Sequence, residues 1–165
     1  MAIEMKGLDL SRLIYLAAPL FTPLERERNL LLATELRKVG YEVFLPQEIN
    51  AAKESGGLDL AKIYTECSGS IHRAALLVAI VDGSDVDSGV AWELGYATAR
   101  GVRTICIRTD RRKAEGNGVN IMIEFCATQM IYETGFKTPT STVTAVLLDA
   151  IHNQIERGKR KDEDK

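Results

Sequence analysis

The sequence predicts an α/β protein with a doubly wound, five-stranded parallel sheet and helices on both faces. Short, uniformly apolar runs alternate with longer amphipathic stretches, which is the pattern of parallel strands covered by helices. Polar loops that contain glycine or proline separate the two kinds of segment. The chain of 165 residues is long enough to bury one full core. We therefore expect a single domain over residues 1–158, followed by a charged, flexible tail over residues 159–165.

The first half of the chain carries clear start and stop signals for its elements. Thr22 is suited to cap a helix, Pro23 to occupy its first turn, and Gly40 to end it. An apolar run precedes this helix, and a second run that ends in a proline follows it. The predicted elements are a strand at 12–18, the helix at 22–40, a strand at 41–46, a polar loop at 47–57 and a second helix at 58–74.

The second half is organised around the run ALLVAIV at residues 75–81. This run is apolar at every position, so it predicts a central strand that is buried on both faces. A loop rich in aspartate comes directly after it. The remaining predicted elements are a helix at 87–100, a strand at 102–108, a charged loop at 109–118, a short segment at 120–127, a small strand at 130–133 and a closing helix at 141–158.

Composition and motifs exclude several classes of protein. The chain has 21 basic and 23 acidic residues and a net charge of -2, which predicts no positive surface for a nucleic-acid polymer. Its three cysteines are odd in number and scattered, so we expect neither a disulfide framework nor a zinc site. We expect no membrane span and no leader segment, and neither GxGxxG nor GxxxxGK[ST] occurs. These features predict a cytoplasmic protein that binds a small ligand.

Polar residues cluster where the predicted strands end, and ligands of doubly wound sheets bind beyond the carboxyl ends of the strands. Asp82, Asp85 and Asp87 follow the central strand, and Phe21 ends the segment after the first strand. We predict that Asp82 and Asp85 line a substrate site and that Phe21 stacks on a ring of the ligand. Two other interpretations of the aspartates are open, capping of the next helix by Asp87 or Ser88 and binding of Mg²⁺.

Glu93 lies on the second turn of the helix that follows this acidic loop. The helical period places Gly89 on the same side as Glu93, and small residues there leave room for a ligand, so both are predicted at the substrate site. The N-terminal end of a helix favours the ionised form of a carboxylate. Asp87 and Glu93 would then combine an ionised nucleophile with a group able to deliver a proton, the pair that cleaves a glycosidic bond.

Three stretches, IYLAAPLFTPLERE, DGSDVDSGVAWELGYATARG and GVNIMIEF, resemble in matching order the signature regions of the nucleoside 2-deoxyribosyltransferases. The resemblance covers roughly residues 12–135. It implies a flavodoxin-like fold and transfer of 2-deoxyribose between nucleobases by way of a glutamate ester, with no metal or organic cofactor. It further implies that Glu93 is the nucleophile, that Asp87 contacts the sugar hydroxyls, and that Tyr15 orients the nucleophile.

The resemblance also bears on assembly and on proton transfer to the base. It implies that Asn120 reaches the sugar site of a neighbouring subunit, and we expect a homo-oligomer with Met122 lining the sugar pocket. Family members often carry an aspartate in the helix before the third strand, which protonates the base. Cys67 stands at that place in this chain, so Asp82 or Asp85 could share the task.

Three functions are compatible with these features. The first is a transferase acting on 2-deoxynucleosides and nucleobases. The second is a hydrolase of the same superfamily that acts on 2-deoxynucleoside 5-monophosphates. Its relatives usually show a glycine- and arginine-containing phosphate loop after the first strand, whereas here the first basic residue after that strand is Arg26. The third is a nucleotide-sensing module without chemistry, which would gain nothing from an unpaired carboxylate at Glu93.

Overall fold

The computed structural model describes residues 13–50, 57–112, 118–135 and 140–163. Five parallel strands form one sheet in the order β2-β1-β3-β4-β5, which is the flavodoxin-like order and confirms the predicted fold class. The elements are β1 (Leu13–Ala17), α1 (Pro23–Lys38), β2 (Glu42–Phe44), α2 (Leu60–Arg73), β3 (Leu76–Ile80), α3 (Ser88–Ala99), β4 (Arg103–Arg108), α4 (Ile121–Cys126), β5 (Gln129–Tyr132) and α5 (Thr140–Glu163).

The sheet separates two apolar cores, because successive side chains of a strand point to opposite faces. Ile14 and Leu16 of β1 belong to the core that α1 and α5 cover. Tyr15 and Ala17 belong to the core that α2 and α3 cover. All five residues of β3 are buried, as the run at 75–81 predicts. This alternation directs Tyr15, the only polar side chain of β1, towards α3.

Helix α1 confirms the predicted capping signals. The Thr22 side chain accepts a hydrogen bond from the backbone N–H of Glu25, and the Glu25 carboxylate accepts one from the backbone N–H of Thr22. Pro23 occupies the first turn, where its missing N–H costs nothing. Gly40 adopts φ 89° just beyond the helix, a conformation that favours glycine. The segment between β1 and α1 therefore has a fixed geometry.

Three elements differ from the predicted ones. Strand β2 has three residues rather than six, because Pro46 lacks an N–H for the ladder and starts a short 3₁₀ turn instead. The segment at 120–127 contains a helix, α4, which Asn120 caps. Helix α5 continues to Glu163, through most of the charged run predicted as a flexible tail, while the domain boundary itself stays a prediction. Parts of the predicted loops, at 51–56 and 113–117, lie outside the described residues.

None of the helices within the described ranges combines the length and the apolar character needed to cross a membrane.

Candidate active site

The centre of the candidate site is a contact between β1 and α3. The Tyr15 hydroxyl donates a hydrogen bond to Oε1 of Glu93. The tyrosine ring is fully buried and stacks on Phe44 of β2, with ring centroids 5.2 Å apart. Stacking and burial hold the hydroxyl in one place. The structure thus brings together the two residues for which the sequence predicts the roles of nucleophile and orienting tyrosine.

The environment of Glu93 sets its protonation near neutrality. Burial raises the pKa of Glu93 to about 7; the hydrogen bond from Tyr15 opposes this rise, and the nearby charge of Asp87 adds to it. The expectation that the helix N-terminus would favour the ionised form is therefore wrong. Glu93 is the sixth residue of α3, and the field of a helix end falls off within its first turn, so burial dominates.

Asp87 is the N-cap of α3, which confirms the capping interpretation. Its Oδ1 accepts hydrogen bonds from the backbone N–H groups of Gly89, at 3.0 Å, and Val90, at 3.1 Å. A Cβ at position 89 would lie only 3.1 Å from that Oδ1, so Gly89 lets the capping loop approach closely. The cap uses one carboxylate oxygen in these bonds. It also holds Asp87 close enough to Glu93 for the charge to influence the glutamate pKa.

Cys67 of α2 is the third side chain at the Tyr15–Glu93 contact. It packs against the core that contains Tyr15 and lies close enough to the tyrosine hydroxyl to raise its pKa. Burial raises the pKa of the Cys67 thiol, which therefore stays protonated at neutral pH. The neighbouring Glu66 instead forms an ion pair with Lys62, at 3.7 Å. Of the two residues near the position of the family's aspartate, Cys67 is the one at the site.

The aspartates of the acidic loop diverge into separate roles. Asp82 accepts four hydrogen bonds: Oδ1 from the backbone N–H groups of Thr109 and Asp110, and Oδ2 from Arg28 and the Thr109 hydroxyl, at 2.7–3.0 Å. Asp85 is exposed and lies on the side of α3 that faces α4. Neither shares a hydrogen bond with Tyr15 or Glu93. The described residues contain no group of three or more His, Cys, Asp or Glu side chains that could hold a metal ion.

Asn120 and Met122 lie on the opposite side of α3 from Glu93. They line an apolar groove of 610 Å³ between α3 and α4, whose wall on α3 includes Ala91 and Gly95. These two residues are each two positions from Glu93, so they point about 160° away from it around the helix axis. Met122 is 74% exposed. Within one subunit, helix α3 therefore lies between the Tyr15–Glu93 contact and the residues Asn120 and Met122.

Aromatic side chains lie exposed near both ends of the site. Phe21 is 72% exposed after β1, at the carboxyl edge of the sheet, and remains a predicted stacking residue. Trp92 is 46% exposed and stacks on Tyr96, with ring centroids 5.1 Å apart, while Tyr64 of α2 packs against it at a tilt. Trp92 therefore packs within an aromatic cluster on the surface of α2 and α3.

Comparison with known protein families places these residues in context. A family model described as nucleoside 2-deoxyribosyltransferase matches residues 14–137. That match covers most of the chain and includes Tyr15, Asp87, Glu93 and Asn120. The chain belongs to the nucleoside 2-deoxyribosyltransferase family. Family membership agrees with the resemblance found in the three sequence stretches.

Solved structures of other proteins share the fold. A conserved protein from Enterococcus faecalis V583 is 25% identical, with a TM-score of 0.69 over 86% of this chain and 98% of that one. A 2-deoxyribosyltransferase from Bacillus psychrosaccharolyticus is 24% identical, with a TM-score of 0.62 over 72% and 85% of the two chains. The corresponding figures for a 2-desoxiribosyltransferase from Leishmania mexicana are 19%, 0.61, 81% and 97%. No curated protein matches the sequence significantly.

Sequence reasoning missed one buried polar residue beside the acidic loop. Arg108, at the end of β4, is 1% exposed and donates to backbone carbonyl groups of that loop. The signal in the sequence was an arginine closing the otherwise apolar run TICIR, at the edge of the sheet where ligands bind. Its partners, 25 and 27 residues away, were not marked by any local pattern.

Proposed function

We propose that the protein transfers 2-deoxyribose from one nucleobase to another through a covalent ester on Glu93. The observation that carries this proposal is the hydrogen bond from buried Tyr15 to Glu93, whose pKa of about 7 keeps a useful fraction ionised at neutral pH. Family membership supports the substrate class, because the family is described by transfer of 2-deoxyribosyl groups. Glycosyl transfer with a carboxylate nucleophile needs such an oriented and partly desolvated carboxylate.

The proposed reaction has two steps. In the first, an ionised Glu93 oxygen bonds to the anomeric carbon, the carbon–nitrogen bond breaks, and its electron pair leaves with the departing base, which gains a proton. In the second, a nitrogen of the incoming base bonds to the anomeric carbon, loses a proton, and releases the Glu93 carboxylate. Two displacements at one carbon give overall retention of configuration. Tyr15 fixes which Glu93 oxygen is hydrogen-bonded and which is free to attack.

The neighbours of Glu93 divide the remaining tasks in this proposal. Asp87 binds the sugar hydroxyls in this proposal. Both of its capping bonds go to Oδ1, which leaves Oδ2 for a hydroxyl, and its charge is near Glu93. Asp82 is satisfied by four hydrogen bonds between loops, so we assign it a structural task instead of proton transfer to the base. Besides Glu93, Cys67 is the titratable side chain that packs near Tyr15, at the place of the family's aspartate. A neutral thiol is a weaker proton donor than a carboxylic acid, so Cys67 would protonate the leaving base less readily than that aspartate does.

We infer that the active form is a homo-oligomer. Met122 lines the apolar groove against α3 and is more than half exposed, as are Ile121 and Phe125 of the same short helix. Apolar surface of this kind marks an interaction site. A second copy on this face could bring its Asn120 to the sugar, which Asn120 of the same chain does not reach. We assign the activity to the cytoplasm, where free thiols such as Cys67 stay reduced.

The phosphate-dependent alternative receives less support from the segment after β1. Arg26 donates to the carbonyl of Leu20, at 3.0 Å, and Arg28 forms an ion pair with Asp82, at 2.9 Å. Both arginines closest to the carboxyl end of β1 therefore have partners within the chain. This arrangement favours free nucleosides over 5-monophosphates as substrates.

One incubation separates the candidate functions. The protein is mixed with deoxyinosine and free adenine, and deoxyadenosine, hypoxanthine and free deoxyribose are followed by chromatography. Formation of deoxyadenosine supports the transferase. Free deoxyribose without deoxyadenosine would make the protein a hydrolase, and binding without turnover would make it a sensor. Deoxyinosine 5-monophosphate in a parallel sample tests the preference for the free nucleoside.

A further inference from the structure

Arg108 is a buried cation at the carboxyl end of β4. Its Nη1 donates to the carbonyl oxygen of Val81 at 2.6 Å, and its Nη2 donates to the carbonyl oxygens of Gly83, at 3.0 Å, and Arg112. Val81 and Gly83 begin the acidic loop that runs to Asp87. Arg112 lies in the loop after β4. One side chain thus joins the two loops that leave neighbouring strands at the ligand-binding edge of the sheet.

The shape of the guanidinium explains why an arginine holds this place. Its planar fork presents several N–H groups in fixed directions, so it can donate to three carbonyl groups at once. Burying a cation is costly unless such hydrogen bonds compensate it. Gly118 covers the group from the other side, since a Cβ there would lie 3.1 Å from Nε of Arg108. Gly118 adopts φ 121° and precedes Asn120, the cap of α4, by two residues.

Two carboxylates also join these loops, but they accept hydrogen bonds from backbone N–H groups, whereas Arg108 donates to carbonyl groups. Asp110 accepts a hydrogen bond from the backbone N–H of Gly83 at 3.1 Å, so Gly83 is held through both its N–H and its carbonyl group. Asp82 accepts from the backbone N–H groups of Thr109 and Asp110. The start of the acidic loop is therefore bonded to the loop after β4 by side chains from both sides.

We propose that Arg108 is a positioning residue for the deoxyribosyl-transfer site, fixing the acidic loop that ends in Asp87 relative to α4. The proposal rests on the proposed function for its effect on catalysis, but its structural part stands on the contacts of Arg108 alone. Glu93 keeps its place without Arg108, because Val90, Leu94 and Ala97 of α3 are buried in the core. Loss of Arg108 therefore disturbs the position of Asp87, which binds the sugar, more than the position of Glu93.

The first test compares Arg108→Lys with Arg103→Lys. Lysine retains the charge, but its compact ammonium cannot span three carbonyl groups. Arg103 is the matched control, because it begins the same strand at the opposite edge of the sheet and donates to the carbonyl of Gln154. We expect Arg108→Lys to lower kcat/KM by at least about tenfold, mainly through a higher KM, and Arg103→Lys to change it by less than about twofold. Equal effects of the two variants on kcat/KM would overturn the proposal.

The second test moves Arg108 without removing it. Gly118→Ala places a Cβ against Nε, whereas Gly101→Ala also puts a side chain at a positive φ, of 73°, but where no atom lies within 4 Å of the added Cβ. We expect faster hydrogen–deuterium exchange in the peptide 82–87 for Arg108→Lys and Gly118→Ala, and unchanged exchange for Gly101→Ala. Unchanged exchange in the first two variants would refute the positioning role. An inactive wild-type protein that still shows the exchange difference would refute the proposed function instead.

Discussion

The two sides of α3 differ in how completely one chain furnishes them. On the side towards α2, Glu93 accepts a hydrogen bond from the buried Tyr15 hydroxyl, and Cys67 packs against the core that contains Tyr15. On the side towards α4, Ala91 and Gly95 leave a groove of 610 Å³ and exposed apolar side chains. The first side is buried and hydrogen-bonded within the chain. The second is an exposed apolar surface of the kind that binds another molecule.

This difference suggests how the chemistry and the closure of the site are divided. In the proposed mechanism, the nucleophile Glu93 and the orienting residue Tyr15 depend only on the fold of the monomer, because the core fixes β1 and α3. Exclusion of water from the sugar site depends, in our account, on a neighbouring subunit that supplies Asn120. Ala91 and Gly95 on α3 would allow the backbone of that subunit to approach closely, because their side chains are small.

The largest expected effect tests the side of α3 towards α2, which carries Glu93. Replacing Glu93 with alanine should lower transfer by at least about a thousandfold, because the covalent step is lost. The fold should persist, since Glu93 is only partly buried. Asp87→Ala should be severe but milder. Glu66→Ala, which removes a carboxylate of the surface ion pair with Lys62, is the control. More than a few per cent of activity in Glu93→Ala, measured by chromatography, would rule out the ester.

The sugar preference tests how closely the nucleophile meets the ring. A retaining pair of carboxylates stands about 5 Å apart, so a 2-hydroxyl would crowd Glu93 and would also destabilise the oxocarbenium-like transition state. We expect deoxyinosine to react at least about a hundredfold faster than inosine in kcat/KM, or about 2.7 kcal/mol of discrimination. Similar values for the two nucleosides would instead indicate a ribonucleoside hydrolase.

Mixing two variants, each of which lacks one residue that we assign to the site, tests the side of α3 towards α4. Glu93→Ala lacks the nucleophile and Asn120→Ala lacks the residue that we assign to the neighbouring site. In a mixed oligomer, one site combines Glu93 from one chain with Asn120 from the other, so co-refolding should restore a substantial part of the activity. The separately refolded variants, combined afterwards, are the control. Activity no higher than the sum of the two variants would show that Asn120 does not act across subunits.

Removing the Tyr15 hydroxyl tests the link between β1 and α3. Tyr15→Phe keeps the ring that stacks on Phe44 but loses the hydrogen bond that lowers the pKa of Glu93. The pKa of Glu93 should then rise above about 7, so the acid limb of kcat/KM moves to higher pH. At pH 6 we expect about a tenfold loss that narrows towards pH 9. Tyr132→Phe should leave the profile in place, and an unshifted limb in Tyr15→Phe would contradict the role.

The smallest expected effect is on stability. Burial raises the folded-state pKa of Glu93 from 4.5 to about 7, so the stabilising neutral form is fully present below pH 4.5 and is lost as the pH rises through 7. Glu93→Gln is neutral at every pH. It should therefore raise Tm by about a few degrees at pH 8 and change it little at pH 4.5. Calorimetry that shows equal Tm differences at both values would contradict the burial of charge.

Local signals made much of the fold predictable. The cap at Thr22 and the stop at Gly40 depend on residues within four positions, and the apolar run of β3 could only be a central strand. Helix α4 was missed because six residues form a helix only through tertiary contacts, which a short sequence window does not contain. The proline that ends the run at 41–46 was a local signal, but β2 already stops at Phe44 because Pro46 starts a 3₁₀ turn.

The resemblance placed Tyr15 and Glu93 at one site and the structure brings them into contact, but the local pattern did not give the protonation of Glu93. The spacing of Asp87 and Glu93 on one helix is local, whereas Tyr15 lies 78 residues from Glu93 and meets it only through the sheet. The pKa of Glu93 followed from that long-range burial, so the local argument from the helix end gave the wrong direction. The four hydrogen bonds of Asp82 likewise connect loops that are distant in sequence.

The central claim is that Glu93 forms a covalent bond with the sugar, and mass spectrometry tests it most directly. The protein is mixed with deoxyinosine without an acceptor base, quenched in acid within milliseconds, and analysed intact and as peptides. We predict a mass increase equal to one deoxyribosyl group, located on Glu93 in the peptide of α3 and missing in Glu93→Ala. Turnover of deoxyinosine with an unmodified protein at every quench time, or with the group on another residue, would contradict the account.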